Sequence, residues 1–147
     1  MITRQADYAV RSVLDLALRG PEQAAFSRDI AESQDIPPSF LAKILTRLAT
    51  HGIVQTQRGV NGGVRLARPA GDITVLEVVE AIDGPLSLNL CVKAPGLCPR
   101  DMDCVVHPLW ETLTQELRER LRGMTFAGLA EAARVAPAGL PRPAQAD

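Results

Sequence analysis

"IPPSFLAKILTRLATHGIVQTQRGVNGGVRLARPA", residues 36–70, contains no Asp or Glu, yet carries Lys43, Arg47, Arg58, Arg65 and Arg68. Beyond Ala70 the balance reverses, with 7 Lys or Arg against 11 Asp or Glu, and the whole 147-residue chain has a formal net charge of only −1. A positive field is therefore confined to one segment. The order of elements inside that segment decides the fold. Pro37 and Pro38 suit a turn leading into a helix from Ser39 to about Thr50, which Gly52 ends. Phe40, Leu41, Ile44, Leu45 and Leu48 can supply the buried side of that helix. After Gly52, "IVQTQ" is β-compatible and "VRLAR" alternates, with "RGVNGG" between them. Asn61-Gly62 is a strong hairpin signal, because both residues tolerate positive φ.

Upstream, Tyr8, Val10, Val13, Leu14, Ala17 and Leu18 recur at helical spacing until "RGP" at 19–21 stops them. Ser27 can cap a second, short helix running through Glu32. The chain thus reads helix, turn, helix, followed by a two-stranded wing. Downstream, "DITVLEVVEAIDG" contains a Thr74-x-x-Glu77 capping box, an apolar stripe of Leu76, Val79 and Ile82, and a closing Gly84, which together predict another helix. From about Asp101 or Val105 to Arg122 a stripe of Val106, Trp110, Leu113, Leu117 and Leu121 predicts one long amphipathic helix. "MTFAGLAEAARV" predicts a short last helix, and "APAGLPRPAQAD" a disordered tail. The fold class expected is mainly α, a winged helix-turn-helix with a long C-terminal helix.

A helix-turn-helix places one helix in the major groove, and a wing reaches along the backbone or into the minor groove. Ser39 and Lys43 lie one turn apart on one face, Arg47 extends that face toward phosphate, and Arg58 and Arg65 flank the hairpin tip. Asn61, Gly62 and Gly63 allow the tip a close approach to a groove. The expected contacts to double-stranded DNA are thus Ser39, Phe40, Lys43, Arg47, Arg58, Asn61, Gly62, Gly63 and Arg65. A helix and hairpin that merely pack, or that bind protein, are the competing readings. His51, just before Gly52, reads as a helix cap or a phosphate contact.

All three cysteines, Cys91, Cys98 and Cys104, fall in one Pro- and Gly-punctuated stretch that ends at His107. No apolar run reaches membrane length, and "MITRQADYAV" lacks the order of a secretion signal, so the expected location is the cytoplasm. Three thiols in a reducing cytosol make a poor disulfide framework and favour metal or redox chemistry. The spacing C-x6-C-x5-C-x2-H is wider than the tight pairs of zinc knuckles, which leaves zinc possible and an iron-sulfur cluster the better match. Three thiolates need a fourth ligand. His107 is the nearest, with helix capping as its other role. Lone Ser, His and Asp residues form no catalytic constellation, so an enzyme is not expected. A zinc-stabilised module without sensing and a thiol-redox or electron-transfer protein remain the alternatives.

"DYAVRSVLDLAL", "IAESQDIPPSFLAKILTRLATHGIVQTQRG", "NGGVRLARPAGDITVLEVVEAIDG", the cysteines with "CVVHPLW", and "MTFAGLAE" together resemble the Rrf2 family of winged-helix transcription regulators, over about residues 1–133. The resemblance implies a homodimer whose long helices cross at the two-fold axis, a pseudo-palindromic operator, and Cys91, Cys98 and Cys104 as ligands of an iron-sulfur cluster. "CVVH" is similar to the branch in which a histidine, here His107, completes a 2Fe-2S cluster. "ADYAVRS" is similar to the branch in which an aspartate of the partner subunit, here Asp7, completes a 4Fe-4S cluster. The implied organisation is a DNA-binding domain over 1–84, a cluster-binding loop over 85–104, a dimerisation helix and last helix over 105–133, and a tail over 134–147. The implied function is a regulator, as repressor, that senses iron-sulfur status, nitric oxide or redox stress.

Overall fold

A computed structural model describes residues 2–60, 62–94, 96–100 and 103–135. In chain order the elements are α1 Arg4–Arg19, α2 Ser27–Gln34, α3 Pro38–Thr50, β1 Val54–Gln57, β2 Gly63–Leu66, a 3-10 turn Ala70–Asp72, α4 Val75–Asp83, α5 Leu90–Lys93, α6 His107–Arg122 and α7 Phe126–Val135. The architecture is mainly helical with one two-stranded antiparallel sheet. None of the described helices is long and apolar enough to cross a membrane.

Helix α1 is the hub, packing on α2, α3, α4 and α7. Its buried face of Ala6, Ala9, Val13, Leu16 and Ala17 meets Ile30, Leu41, Ile44, Leu48, Val78 and Val79 in one continuous core. Asp15 is buried within this helix. Its carboxylate accepts from Arg19 Nε (2.7 Å), Ser33 Oγ (2.9 Å) and Gln34 Nε2 (3.2 Å), so its charge is satisfied while it ties α1 to the end of α2.

Three local expectations are corrected. Ser27 is the first residue of α2 rather than its cap, because the helix opens on Phe26, which makes no side-chain cap bond. The chain is pinned just upstream, where Ala25 exchanges two backbone bonds with Val64 (2.9 and 2.8 Å), so helix entry is set by this third-strand stub. Phe40 lies outside the buried side of α3 at 44% exposure, while Leu41, Ile44, Leu45 and Leu48 are buried as expected. The hairpin does not close on a two-residue turn. Gln57 pairs with Gly63, which leaves a five-residue tip, and positive φ occurs at Gly59 (111°) and Gly63 (144°) but not at Gly62. Asn61 lies outside the described residues, as do residues 136–147 of the expected tail, whereas Arg134 and Val135 belong to α7.

The Thr74–Glu77 capping box forms as read, with Thr74 Oγ1 accepting from the Glu77 N–H (3.2 Å) and Glu77 Oε2 accepting from the Thr74 N–H (2.9 Å). Glu77 also holds Arg68 at 2.9 Å, and Arg68 donates onward to the carbonyls of Asp72 (2.9 Å) and Gly52 (3.3 Å). Arg68 therefore fastens the base of the wing to the start of α4. Partial burial pushes the Glu77 carboxyl up, but the bonds from the Thr74 backbone, Arg68 and the Thr74 hydroxyl outweigh it and hold it below the usual carboxylate range. A group lowered in the folded state stabilises fully above its unfolded pKa of about 4.3 and loses that contribution as pH falls through the folded value. Glu77→Gln keeps an amide oxygen for the Thr74 N–H but removes the charge that Arg68 meets, so it is expected to lower the melting midpoint by about one or two degrees near neutral pH. The gap between variant and wild type should close in acid, once the folded-state carboxyl takes up its proton. Melts at both pH values check this, and a gap that persists in acid contradicts it.

Helix α7 returns to the body of the fold. Phe126 is fully buried, its N–H donates to the Ile73 carbonyl (3.0 Å), and the helix packs on α1 and the 3-10 turn.

Candidate nucleic-acid interface and cysteine loop

Pro38 occupies the first turn of α3, where its missing N–H costs nothing, and leaves Ser39, Phe40 and Lys43 exposed along one face. Ala42 and Thr46 share that exposed side, and their polar groups are self-contained, with Thr46 Oγ1 donating to the Ala42 carbonyl at 2.9 Å. Neither is among the contacts expected from the sequence. His51 closes the helix: its backbone N–H and ring Nδ1 both meet the Arg47 carbonyl, at 3.1 and 2.9 Å. Arg47 itself gives one guanidinium N–H to the Ile82 carbonyl of α4 at 3.0 Å.

The wing is short and tightly built. Arg58 and Val60 at its tip are exposed, Val60 at 97%. Arg65 sits on β2 opposite Gln55 and is half-buried, its Nε having no hydrogen-bond partner among the described residues. Gly62 is buried against the wing's own backbone: a Cβ there would lie 2.4 Å from the Gln57 carbonyl oxygen and 2.8 Å from that of Gly59. At Gly63 a Cβ would meet the Ala25 oxygen at 2.8 Å. The glycines serve the hairpin's internal packing before any groove contact.

Cys91 is buried on α5, a single turn that the sequence reading missed, opened by Asn89 Oδ1 accepting from the Leu90 N–H at 2.8 Å. Cys98 and Cys104 are half-buried, and all three thiols are free. The segment before α5 is fastened to its surroundings at two points. Leu86 N–H donates to Glu80 Oε1 (2.9 Å), which also pairs with Arg118 of α6, and Leu88 N–H donates to Thr114 Oγ1 (3.2 Å). At the other end the Cys104 carbonyl accepts from the N–H of His107, the first residue of α6, at 3.1 Å. Asp7, in the first turn of α1, pairs with Arg11 at 2.9 Å and is half-exposed.

Thiolates suit iron and zinc alike, so the donor set fits a cluster in kind. In place it does not converge: among the described residues no three His, Cys, Asp or Glu side chains gather as a metal-binding group.

A family model described as "Iron-dependent Transcriptional regulator", Rrf2, matches residues 2–132. The chain belongs to the Rrf2 family. It is 34% identical over 128 residues to the HTH-type transcriptional regulator IscR of Klebsiella pneumoniae, covering 87% of this chain and 78% of that protein. Among solved structures, T. potens IscR superposes with a TM-score of 0.75 at 25% identity, covering 95% of this chain and 93% of that one. CymR (YrzC), the global cysteine regulator of B. subtilis, superposes at 0.77 with 23% identity, covering 90% and 97%, a likeness of fold alone. As an Rrf2 protein the chain is a winged-helix, DNA-binding transcriptional regulator and not an enzyme.

Proposed function

We propose that this Rrf2 regulator is a cytoplasmic homodimeric repressor whose cysteine loop holds an iron-sulfur cluster, 2Fe-2S or 4Fe-4S, and through it senses iron-sulfur status, nitric oxide or redox stress. The observation that carries the reading is the placement of three free thiols in one segment fastened to α6 at both ends, within a chain matched by an iron-dependent regulator model. A bound cluster supplies iron that exchanges electrons and takes up nitric oxide. The chain's own part is to hold it with the Cys91, Cys98 and Cys104 thiolates. His107 or Asp7 of the partner subunit is the fourth ligand. Operator contacts are assigned to Ser39, Phe40, Lys43, Arg58, Asn61, Gly62, Gly63 and Arg65.

Protein purified without oxygen is expected to be coloured and to carry iron and sulfide in fixed ratio to the chain. A colourless product loaded with zinc, or thiols that only cycle to a disulfide, would overturn the cluster reading.

The dimer is supported by what α6 leaves uncovered. Among its described residues only Thr114 is fully buried, while Leu109 and Leu113, with Val106 just ahead, are exposed at helical spacing. A contiguous apolar strip on a polar helix marks an association surface. It suits a second copy of α6, and two-fold pairing presents two reading heads to a pseudo-palindromic site. Leu109→Glu is expected to weaken the dimer at least about tenfold. Sedimentation equilibrium reads this, and an unchanged dimer contradicts it.

A further inference from the structure

Arg47 looks from the sequence like a phosphate contact, and it is exposed on α3, but one of its guanidinium N–H groups is engaged within the fold. Helix α4 ends at Asp83, so the Ile82 carbonyl is one of the last four in that helix, which have no partner within it. It also lies at the negative end of the helix dipole, where a cation is favoured. Arg47 Nη1 reaches that carbonyl at 3.0 Å, across 35 positions of sequence. The next residue, Asp83, accepts from the N–H and hydroxyl of Thr3 (2.9 and 2.6 Å), and Thr3 is the N-cap of α1. One turn earlier Glu80 holds both Arg118 of α6 and the Leu86 N–H. The reading helix, the start of α1 and α6 therefore all meet on the last turn of α4, immediately before the cysteine loop.

The geometry points to Arg47 as a positioning residue: it sets α3 on α4 by capping the α4 C-terminus, and it makes no phosphate contact of its own. Asp83 holds the same helix end from the α1 side. This inference rests on the DNA-binding reading of α3 and the wing.

Affinity for a duplex recovered by selection from a random-sequence pool, measured across a salt series well below the melting temperature, tests it. Each phosphate contact contributes about 0.9 to the slope of log affinity against log salt. Arg47→Gln is expected to bind about tenfold more weakly with the wild-type slope. Arg47→Lys, which keeps the charge but not the planar fork, should also bind more weakly. Asp83→Asn, which leaves one acceptor for Thr3 and exchanges the other for an N–H donor, should do the same although it removes a negative charge. Arg58→Gln at the wing tip is the control, expected to reduce the slope by about one. A slope reduced by about one in Arg47→Gln, wild-type affinity in Arg47→Lys, or an unchanged affinity in folded Arg47→Gln overturns the assignment. Should Arg47→Gln fail to fold, Arg47→Lys and Asp83→Asn carry the same decision. A pool that yields no duplex for the wild-type chain overturns the DNA-binding reading, and the positioning role with it.

Discussion

Gly62→Ala is expected to open the wing and cost at least about tenfold in operator affinity, the equivalent of about 1.4 kcal/mol. The added methyl would lie 2.4 Å from the Gln57 oxygen, 2.8 Å from the Gly59 oxygen and 2.9 Å from the Arg58 carbonyl carbon. All three are backbone atoms, which cannot swing aside as the end of a flexible side chain would. The relief available is to separate the strand ends and give up the Gly62 N–H bond to the Gly59 carbonyl (2.9 Å). Strain of this kind costs about 1–3 kcal/mol locally. Because the helical core lies away from the tip, the melting midpoint should fall much less than the binding does. Gly63→Ala should act similarly for a different reason, combining a φ of 144° with a 2.8 Å approach to the Ala25 oxygen. Fluorescence anisotropy with a selected duplex reads both variants, and wild-type affinity in Gly62→Ala would contradict the described wing.

Serine in place of Cys91, Cys98 or Cys104, one at a time, is expected to remove most of the bound iron and sulfide. A hydroxyl is a harder, far less acidic donor than a thiol and holds iron in a sulfide cluster much more weakly. Cys91→Ser carries a second cost, since this thiol is buried on α5. Cys98→Ser and Cys104→Ser, on half-buried thiols, should leave the fold intact and so isolate the ligand effect. Retention of full iron content in either of these two variants would remove that residue from the ligand set. His107→Ala and Asp7→Ala separate the candidate fourth ligands, because the visible spectrum should change in one and not the other.

The elements set by local signals were legible in the residues. The Thr74-x-x-Glu77 box, Gly84 and the stripe of Leu76, Val79 and Ile82 lie within a few positions of one another, and α4 forms as they require. Helix α6 follows from its stripe in the same way, beginning at His107. What was not legible depends on partners distant in sequence. Ser27 is a good capping residue, but the Ala25–Val64 bridge decides where α2 begins. Arg68 reads as part of a basic field, yet Glu77 and two carbonyls occupy its guanidinium. Helix α5 is only four residues long and carries no periodicity to detect. For the candidate site, residue type and spacing marked the thiols, while their burial and the anchoring of their loop to Thr114 and Glu80 emerge only when α4 and α6 pack together.

The central claim is that the state of the cysteine loop changes DNA affinity. It is tested most directly by measuring operator affinity on one oxygen-free preparation, before and after its iron is removed with a chelator, at fixed salt. The account predicts a change of about fivefold or more, the scale of coupling between two linked sites. Equal affinity in the two states, with iron shown to be present in one and absent in the other, would contradict it.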